Sequence, residues 1–272
     1  MDHKNMLNNK KIGLALGSGG ARGLAHIGVI KVLEANKIPI DIITGTSMGA
    51  LIGSAYASHG DIELLEKTYL AIQWKKIIRL SSDLSVFSGG LVAGDKIKNF
   101  IQSELGCAQK FSDLKIPFGA VATDISNGEN VFLTEGNLPE AVRASISFPG
   151  VFKPIEIDNR WLIDGGAVDP VPVDLAKSLG ADFVIAVNLE ERGGSYLHIK
   201  KGSKDLYNNV YSAARIMQKR LAAYSCSGAD IILSPEVGRY LWTQFTEAKK
   251  IIAAGEEIAE KNLSRLTQLL NQ

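Results

Sequence analysis

The sequence predicts an α/β protein with a largely parallel central sheet, and two features support this class. Short apolar runs alternate with stretches whose apolar residues recur at helical spacing. The order strand, helix, strand, helix is complete within the first sixty residues. This order is typical of βαβ units, in which successive strands lie parallel in one sheet.

The N-terminal elements follow from simple patterns. Residues 12–16 form an apolar run that ends in glycines, which indicates a buried strand. Residues 22–36 carry apolar side chains at near-helical spacing, and 40–44 form a second apolar run. Residues 48–58 then predict an apolar helix, closed by Gly60.

The same alternation continues to the C-terminus. Further strands are predicted at 118–123, 131–134, 161–163, 183–187 and 231–233, and helices at 139–144, 171–179, 206–224 and 246–270. Since no linker of useful length interrupts the pattern, residues 11–272 are predicted to form one domain behind a flexible polar tail at 1–10. Its motif core covers about 11–187, and a helical part covers about 204–272.

Composition excludes several classes of function. The chain has 272 residues, with 30 Lys and Arg against 29 Asp and Glu, so no global field for nucleic acid is expected. Cys107 and Cys226 have neither metal-site spacing nor the number for a disulfide framework. The polar N-terminus has no secretory signal, and no apolar run is long enough to span a bilayer. We therefore expect a cytoplasmic protein whose membrane contact, if any, is peripheral at the inner membrane surface.

The strongest candidate for a nucleophile is Ser47, in Gly45-Thr46-Ser47-Met48-Gly49. This motif lies between a predicted strand and a predicted helix, where a sharp turn can lift the hydroxyl above the sheet. Gly45 and Gly49 leave room for the crowded backbone, and the helix start favours developing negative charge. The alternative is an ordinary turn in which the serine caps a helix.

The glycine-rich loop 17–23 also joins a strand to a helix, and it has two interpretations. It can bind a pyrophosphate, although Arg22 replaces the third glycine of the dinucleotide fingerprint and Asp41 precedes the second strand. It can instead form an oxyanion hole, with the backbone N–H groups of Gly19 and Gly20 facing a tetrahedral intermediate.

A serine nucleophile needs a proton acceptor, and the candidates are Asp164 and His198. Asp164 ends a short strand and precedes Gly165 and Gly166, so its carboxylate could lie at the carboxyl edge of the sheet. Asp-Gly also makes ordinary turns. His198 follows Asp164 in the order of an α/β-hydrolase triad, but it lies in a polar loop.

The glycine-rich Arg-Gly loop, Gly-Thr-Ser-Met-Gly and Asp-Gly-Gly, in this order, resemble the motifs of the patatin-like phospholipases, especially the small bacterial members. The segment 145–152 resembles another family stretch, and the likeness covers about 11–187. It implies a three-layer α/β/α fold and a lipid acyl hydrolase of the phospholipase or lysophospholipase type.

The resemblance also assigns roles. It implies that Ser47 is the nucleophile and Asp164 the base, without histidine, metal or cofactor. The glycine-rich loop, represented by Gly19, Gly20, Ala21, Arg22 and Gly23, supplies the oxyanion hole, and Arg22 holds the loop. Ser18 departs from the family pattern, which has glycine there.

Three questions stay open at this level. Residues 74–92 mix aromatic, aliphatic and cationic side chains, so they form either a flap over the site that contacts anionic membranes or part of the core. The chain could also be a regulatory protein of this fold with little turnover, or a nucleotide-binding protein. The headgroup, the acyl chain and the oligomeric state are not encoded in any motif that we recognise.

Overall fold

The fold is an eight-stranded mixed sheet flanked by helices, seen in a computed structural model that describes residues 10–72, 97–190 and 206–272. The strands are β1 Ile12–Leu16, β2 Ile42–Thr46, β3 Phe118–Asp124, β4 Asn130–Leu133, β5 Ile155–Ile157, β6 Arg160–Asp164, β7 Phe183–Val187 and β8 Ile231–Leu233. Their order is β5-β6-β3-β2-β1-β7-β8, and β4 pairs with β3. The predicted α/β class with a mostly parallel sheet is confirmed.

The parallel part of the sheet contains β3, β2, β1, β7 and β8, in which each neighbouring pair is parallel. Antiparallel pairing is confined to one side, where β4 and β6 pair with β3, and β5 pairs with β6. Such an antiparallel side on an otherwise parallel sheet is common in α/β folds.

The helices are α1 Ala25–Ala35, α2 Met48–His59, α3 Ile62–Ala71, α4 Leu138–Ser145, α5 Val173–Ser178, α6 Leu206–Ser225 and α7 Ala248–Leu270. A π-helical turn spans Phe100–Glu104. Helix α3 was not predicted from the sequence. Its start is stabilised by the Asp61 carboxylate, which accepts from the Leu64 N–H at 2.9 Å.

Two boundaries differ from the predictions in a way that matters for function. The predicted helix 22–36 begins with a 3₁₀ turn, Gly20–Leu24, and becomes α-helical only at Ala25. The second strand is Ile42–Thr46 instead of 40–44, because Thr46 still pairs with β3. The chain therefore passes from strand to helix at a single residue, Ser47.

Side chains of the central strands alternate between two cores, as a sheet covered on both faces requires. On β1, Leu14 and Leu16 belong to the larger core, which includes α1, α2 and α7. Ala15 faces the smaller core with Val173 of α5 and Ala222 of α6. This arrangement confirms the three layers that the motif resemblance implied.

Some sequence hypotheses lie outside the described residues. These are the tail up to residue 9, the whole of the flap hypothesis at 74–92, and the alternative base His198. Within the described part of the chain, no helix has both the length and the apolarity needed to cross a membrane.

Candidate active site

Strand β3 brings Ser47 and Asp164 together. The last residue of β2, Thr46, pairs with Val121 of β3, and the next residue of β3, Ala122, pairs with Asp164 of β6. Strand β6 thus continues beside β3 where β2 leaves the sheet. Asp164 reaches the carboxyl end of β2 on a strand, β6, that runs antiparallel to β3. The sequence predicted the carboxyl edge of the sheet for Asp164, but not the direction of its strand.

The turn at Ser47 has a rare backbone conformation, with φ 57° and ψ −119°. Non-glycine residues seldom adopt positive φ, and such positions concentrate at functional sites. Space around the turn is minimal. A Cβ on Gly45 would lie 2.5 Å from the Gly49 carbonyl carbon, and one on Gly49 would collide with the Leu16 carbonyl oxygen. Both glycines predicted to flank the nucleophile are therefore sterically required.

The Ser47 backbone is held by a residue outside the motif. Its N–H donates to the Ser145 Oγ at 3.0 Å, and Ser145 is completely buried at the end of α4. Two residues later, the Ser147 carbonyl accepts from the Asp164 N–H at 3.0 Å. The segment 145–147 therefore connects the turn at Ser47, which we call the nucleophile turn, with β6, the strand that carries Asp164.

Asp164 is a buried carboxylate with an available oxygen. Oδ1 accepts from the Gly166 N–H at 2.7 Å, while Oδ2 has no hydrogen bond of good geometry among the described residues. Burial raises the pKa of Asp164 to about 6, although the neighbouring Ser47 hydroxyl and the Gly166 N–H lower it. A carboxyl group with this pKa ionises near neutral pH and is a stronger base than an exposed one.

Gly165 and Gly166 determine the conformation of the loop that follows Asp164, which we call the acid loop. A side chain at Gly165 would collide with the Val121 carbonyl oxygen, which explains why the chain has glycine after Asp164. At Gly166, a Cβ would lie 3.0 Å from the Asp164 Oδ1 and 3.1 Å from the Ser18 Oγ. The acid loop and the glycine-rich loop therefore approach each other at Ser18, the residue that departs from the family pattern.

The glycine-rich loop leaves two backbone donors unused. Four of its N–H groups donate to carbonyl oxygens: Gly17 to Val187 at 3.1 Å, Ser18 to Pro170 at 2.8 Å, Ala21 to Trp242 at 2.7 Å and Arg22 to Gly19 at 3.3 Å. Within the described residues, the N–H groups of Gly19 and Gly20 donate to no acceptor. Since backbone donors inside a protein are nearly always paired, these two are candidates for binding an oxyanion.

A buried ion pair stabilises the glycine-rich loop. Arg22 Nη2 lies 2.8 Å from Glu190 Oε1, and both side chains are almost fully buried. Arg22 Nε also donates to the Gly19 carbonyl at 3.3 Å. The motif resemblance implied this role for Arg22, but Glu190 was not predicted. Glu190 follows β7, which neighbours β1, and a charged residue at that shared edge was the available signal.

His26 supports the start of the loop as a neutral side chain. It is completely buried, and its Nε2 lies 2.7 Å from the Gly17 carbonyl oxygen, to which it donates. Burial lowers the pKa of His26 to about 4, although the bond to Gly17 raises it. Thus His26 packs inside the protein, against the start of the glycine-rich loop.

The C-terminal region also contacts the loop. Trp242, between β8 and α7, accepts the Ala21 N–H at its carbonyl and stacks on Phe148 with ring centroids 6.0 Å apart. Both aromatic side chains are half-buried. Phe148 lies three residues after Ser145, so this aromatic pair connects the glycine-rich loop with the segment that holds Ser47.

No group of three His, Cys, Asp or Glu side chains suited to a metal ion is present among residues 10–72, 97–190 and 206–272. The cysteines Cys107 and Cys226 are buried and free. The described site brings together one hydroxyl, one carboxylate and two backbone N–H groups.

These features can be compared with known proteins. A family model described as patatin-like phospholipase matches residues 14–177. An uncharacterized NTE family protein of Mycobacterium tuberculosis is 40% identical over 182 residues, which are 67% of this chain and 50% of that protein. The lysophospholipase NTE1 of Pyricularia oryzae is 38% identical over 186 residues, which are 67% of this chain and 12% of that protein. The matched stretch thus spans half or less of these relatives.

Two solved structures have a similar fold. The crystal structure of VipD from Legionella pneumophila superimposes with a TM-score of 0.55, covering 94% of this chain and 67% of that chain at 14% sequence identity. The type III effector protein ExoU gives a TM-score of 0.53, covering 95% of this chain and 53% of that chain at 13% identity. At these identities the likeness concerns the fold.

Proposed function

The chain belongs to the patatin-like phospholipase family, and we propose that it hydrolyses carboxylic esters of lipids with Ser47 as nucleophile and Asp164 as base. The observation that carries this proposal is the meeting of three features at one point. A strained serine turn, a buried carboxylate with an available oxygen, and two unused backbone donors all lie at the carboxyl ends of β1 and β2. Each is a standard requirement of acyl transfer.

In the first step, Ser47 Oγ attacks the ester carbonyl carbon while its proton passes to Asp164 Oδ2. The carbonyl oxygen becomes an oxyanion, which accepts hydrogen bonds from the Gly19 and Gly20 N–H groups. Collapse of this intermediate breaks the ester bond, and the leaving alcohol takes the proton from Asp164. The acyl group stays on Ser47 as an ester.

In the second step, water replaces the alcohol. Asp164 accepts a proton from the water as its oxygen attacks the acyl-enzyme, and the same two N–H groups stabilise the second oxyanion. The proton returns to Ser47 Oγ as the fatty acid leaves. Asp164 works as base and acid in turn, which suits a carboxyl group whose pKa is raised to about 6 by burial.

The substrate class follows from the relatives. Several fungal relatives are named lysophospholipases. The match of the family model, residues 14–177, includes both Ser47 and Asp164. We extend this class to the chain and propose glycerolipids with one or two acyl esters as substrates.

A panel of lipids tests the proposal. The purified protein is incubated with lysophospholipids, phospholipids, galactolipids, neutral glycerides and acyl thioesters, and released fatty acids are measured by mass spectrometry. We expect hydrolysis of at least one lipid ester, with a loss of at least about a thousandfold in Ser47→Ala and Asp164→Asn. Tyr56→Phe, which removes a buried hydroxyl that donates to Glu34, serves as a control outside the reacting atoms and the glycine-rich loop.

Covalent labelling separates the proposal from its rivals. A fluorophosphonate should label wild type and not Ser47→Ala, and labelling should be slow in Asp164→Asn. Absence of both labelling and lipid hydrolysis in a folded wild-type protein would contradict the proposal and favour the regulatory interpretation. Labelling that persisted in Asp164→Asn at the wild-type rate would exclude Asp164 as the base.

A further inference from the structure

Helix α6 crosses the back of the acid loop with one face turned inward. The Gln218 Nε2 donates to the Gly166 carbonyl at 3.1 Å, and the Ser225 side chain hydrogen-bonds with Asp169. Ala222, between them in the sequence, is completely buried in the smaller core. Residues 218, 222 and 225 recur at a spacing of four and three, so they lie on one side of the helix.

The opposite side of α6 is exposed and largely apolar. Ile216 is 55% exposed, Met217 64% and Tyr224 80%. Ala213 and Arg220 are also exposed, and residues 213, 217, 220 and 224 recur at helical spacing. We call the set Ala213, Ile216, Met217, Arg220 and Tyr224 the outward face of α6. Large apolar side chains gathered in this way on a surface helix usually mark a contact site.

The charge of α6 is of one sign. Residues 206–228 contain three cations, Arg215, Lys219 and Arg220, and no Asp or Glu. Helix α3 gives a useful contrast inside the same molecule. It exposes Leu64 and Leu70 to 47% and 38%, but it also carries Glu63 and Glu66. Apolar side chains combined with cations alone are what an anionic lipid surface attracts.

We propose that the outward face of α6 docks on anionic lipid membranes. Apolar side chains Ile216, Met217 and Tyr224 enter the interface, and Arg220 pairs with lipid phosphates. The inward residue Gln218 contacts the Gly166 carbonyl, so the docked surface and the loop after Asp164 lie on opposite sides of the same helix. Only this last link, the delivery of lipid to Ser47, rests on the proposed function.

Vesicle co-sedimentation tests the docking. The full-length protein is mixed with phosphatidylcholine vesicles with and without phosphatidylglycerol, at low and high salt. We expect stronger binding to the anionic vesicles, weakened by salt. Met217→Ser with Tyr224→Ser should weaken binding to anionic vesicles at least tenfold, and Arg220→Glu about tenfold.

Matched controls come from α3, where Leu64→Ser with Leu70→Ser and Lys67→Glu make the same chemical changes on another exposed helix. These controls should bind vesicles like wild type. Circular dichroism and melting temperature establish that all variants fold. Equal binding by the α6 and α3 variants would overturn the proposal, as would a wild-type dimer that the α6 changes dissociate, because the face would then belong to a second copy.

A soluble short-chain ester keeps the two proposals apart. The α6 variants should hydrolyse this monomeric substrate at the wild-type rate, but lose at least fivefold of the rate on anionic vesicles. If wild type hydrolyses no ester yet binds vesicles through α6, the proposed function fails and the docking stands. If hydrolysis of vesicle lipid is unaffected in variants that no longer bind, docking is not the route of lipid to the site.

Discussion

The nucleophile turn and the glycine-rich loop lie side by side, but they are held in place by different means. The turn at Ser47 is fixed mostly by backbone close to it in the fold, since Gly45 and Gly49 leave no room for side chains. The glycine-rich loop is held by side chains and backbone from far along the chain, namely Glu190 and Trp242. The conformation at Ser47 therefore depends mainly on close backbone packing at Gly45 and Gly49, with one hydrogen bond to the distant Ser145, whereas that of the glycine-rich loop depends on side chains and backbone from far along the chain.

The largest expected effect concerns the distant support of the loop. Glu190→Gln removes the negative charge of the buried Arg22–Glu190 ion pair, so we expect a loss of about 3–5 kcal/mol in the free energy of unfolding. Urea denaturation measures this loss. Ester hydrolysis should also fall, because Arg22 holds the Gly19 carbonyl.

A double variant sharpens this test. Arg22→Met with Glu190→Leu removes both charges, and we expect it to recover most of the lost stability while hydrolysis stays low. If Glu190→Gln unfolded at the wild-type urea concentration, the loop would not depend on the pair, and the contrast between the two regions would be wrong.

The second effect concerns the local support of the nucleophile turn. In Gly49→Ala, the added methyl collides with the Leu16 carbonyl oxygen, and we expect a loss of about 1–3 kcal/mol together with loss of fluorophosphonate labelling. Gly53→Ala in the same helix is the control. Its Cβ meets side-chain atoms at 3.0 Å, which can move, so labelling should survive.

Asp164 gives a pH-dependent test that separates it from both supports. Its pKa in the folded protein, about 6, lies above the ordinary 3.8, so the folded state binds the proton more tightly and stability falls as pH rises through this interval. Asparagine does not titrate. We therefore expect Asp164→Asn to be more stable than wild type by about 3 kcal/mol at pH 8, and by little at pH 4.

The same pKa predicts the rate profile. Hydrolysis of a soluble ester by wild type should rise with pH to a plateau, with a midpoint near 6, because in the proposed mechanism only the ionised Asp164 carboxylate accepts the Ser47 proton. The midpoint should be unchanged when the glycine-rich loop is perturbed. If wild type were already less stable than Asp164→Asn at pH 4, by the whole difference expected at pH 8, the raised pKa would not belong to Asp164.

The smallest expected effect comes from the aromatic contact. Trp242→Ala removes the stacking on Phe148 and loosens the segment whose carbonyl accepts the Ala21 N–H, so we expect kcat to fall about tenfold. Labelling at Ser47 should slow less, since the nucleophile turn has its own support. Trp161→Ala is the matched control: Trp161 is 52% exposed on β6, and its loss should leave kcat unchanged.

The local motifs could be predicted from the sequence because each one is a short-range steric requirement. Glycines at 45 and 49 and the apolar runs on either side sufficed to predict a turn at Ser47. Glu190, Ser145 and Trp242 were missed as supports because their contacts join segments that are far apart in the sequence. The sequence predicts that strands exist, but not that β7 lies next to β1 or that β6 runs antiparallel to β3.

The pairing of β6 with β3 has a consequence for how this chemistry can be lost. Three residue pairs, of which the last is Ala122 with Asp164, set the register of β6 on β3. Successive side chains on a strand point to opposite faces, so a slip by one position would present Ile163 to the serine and turn the carboxylate away. The same slip would take the completely buried Leu162 out of the core, so a single register places both this core side chain and the carboxylate.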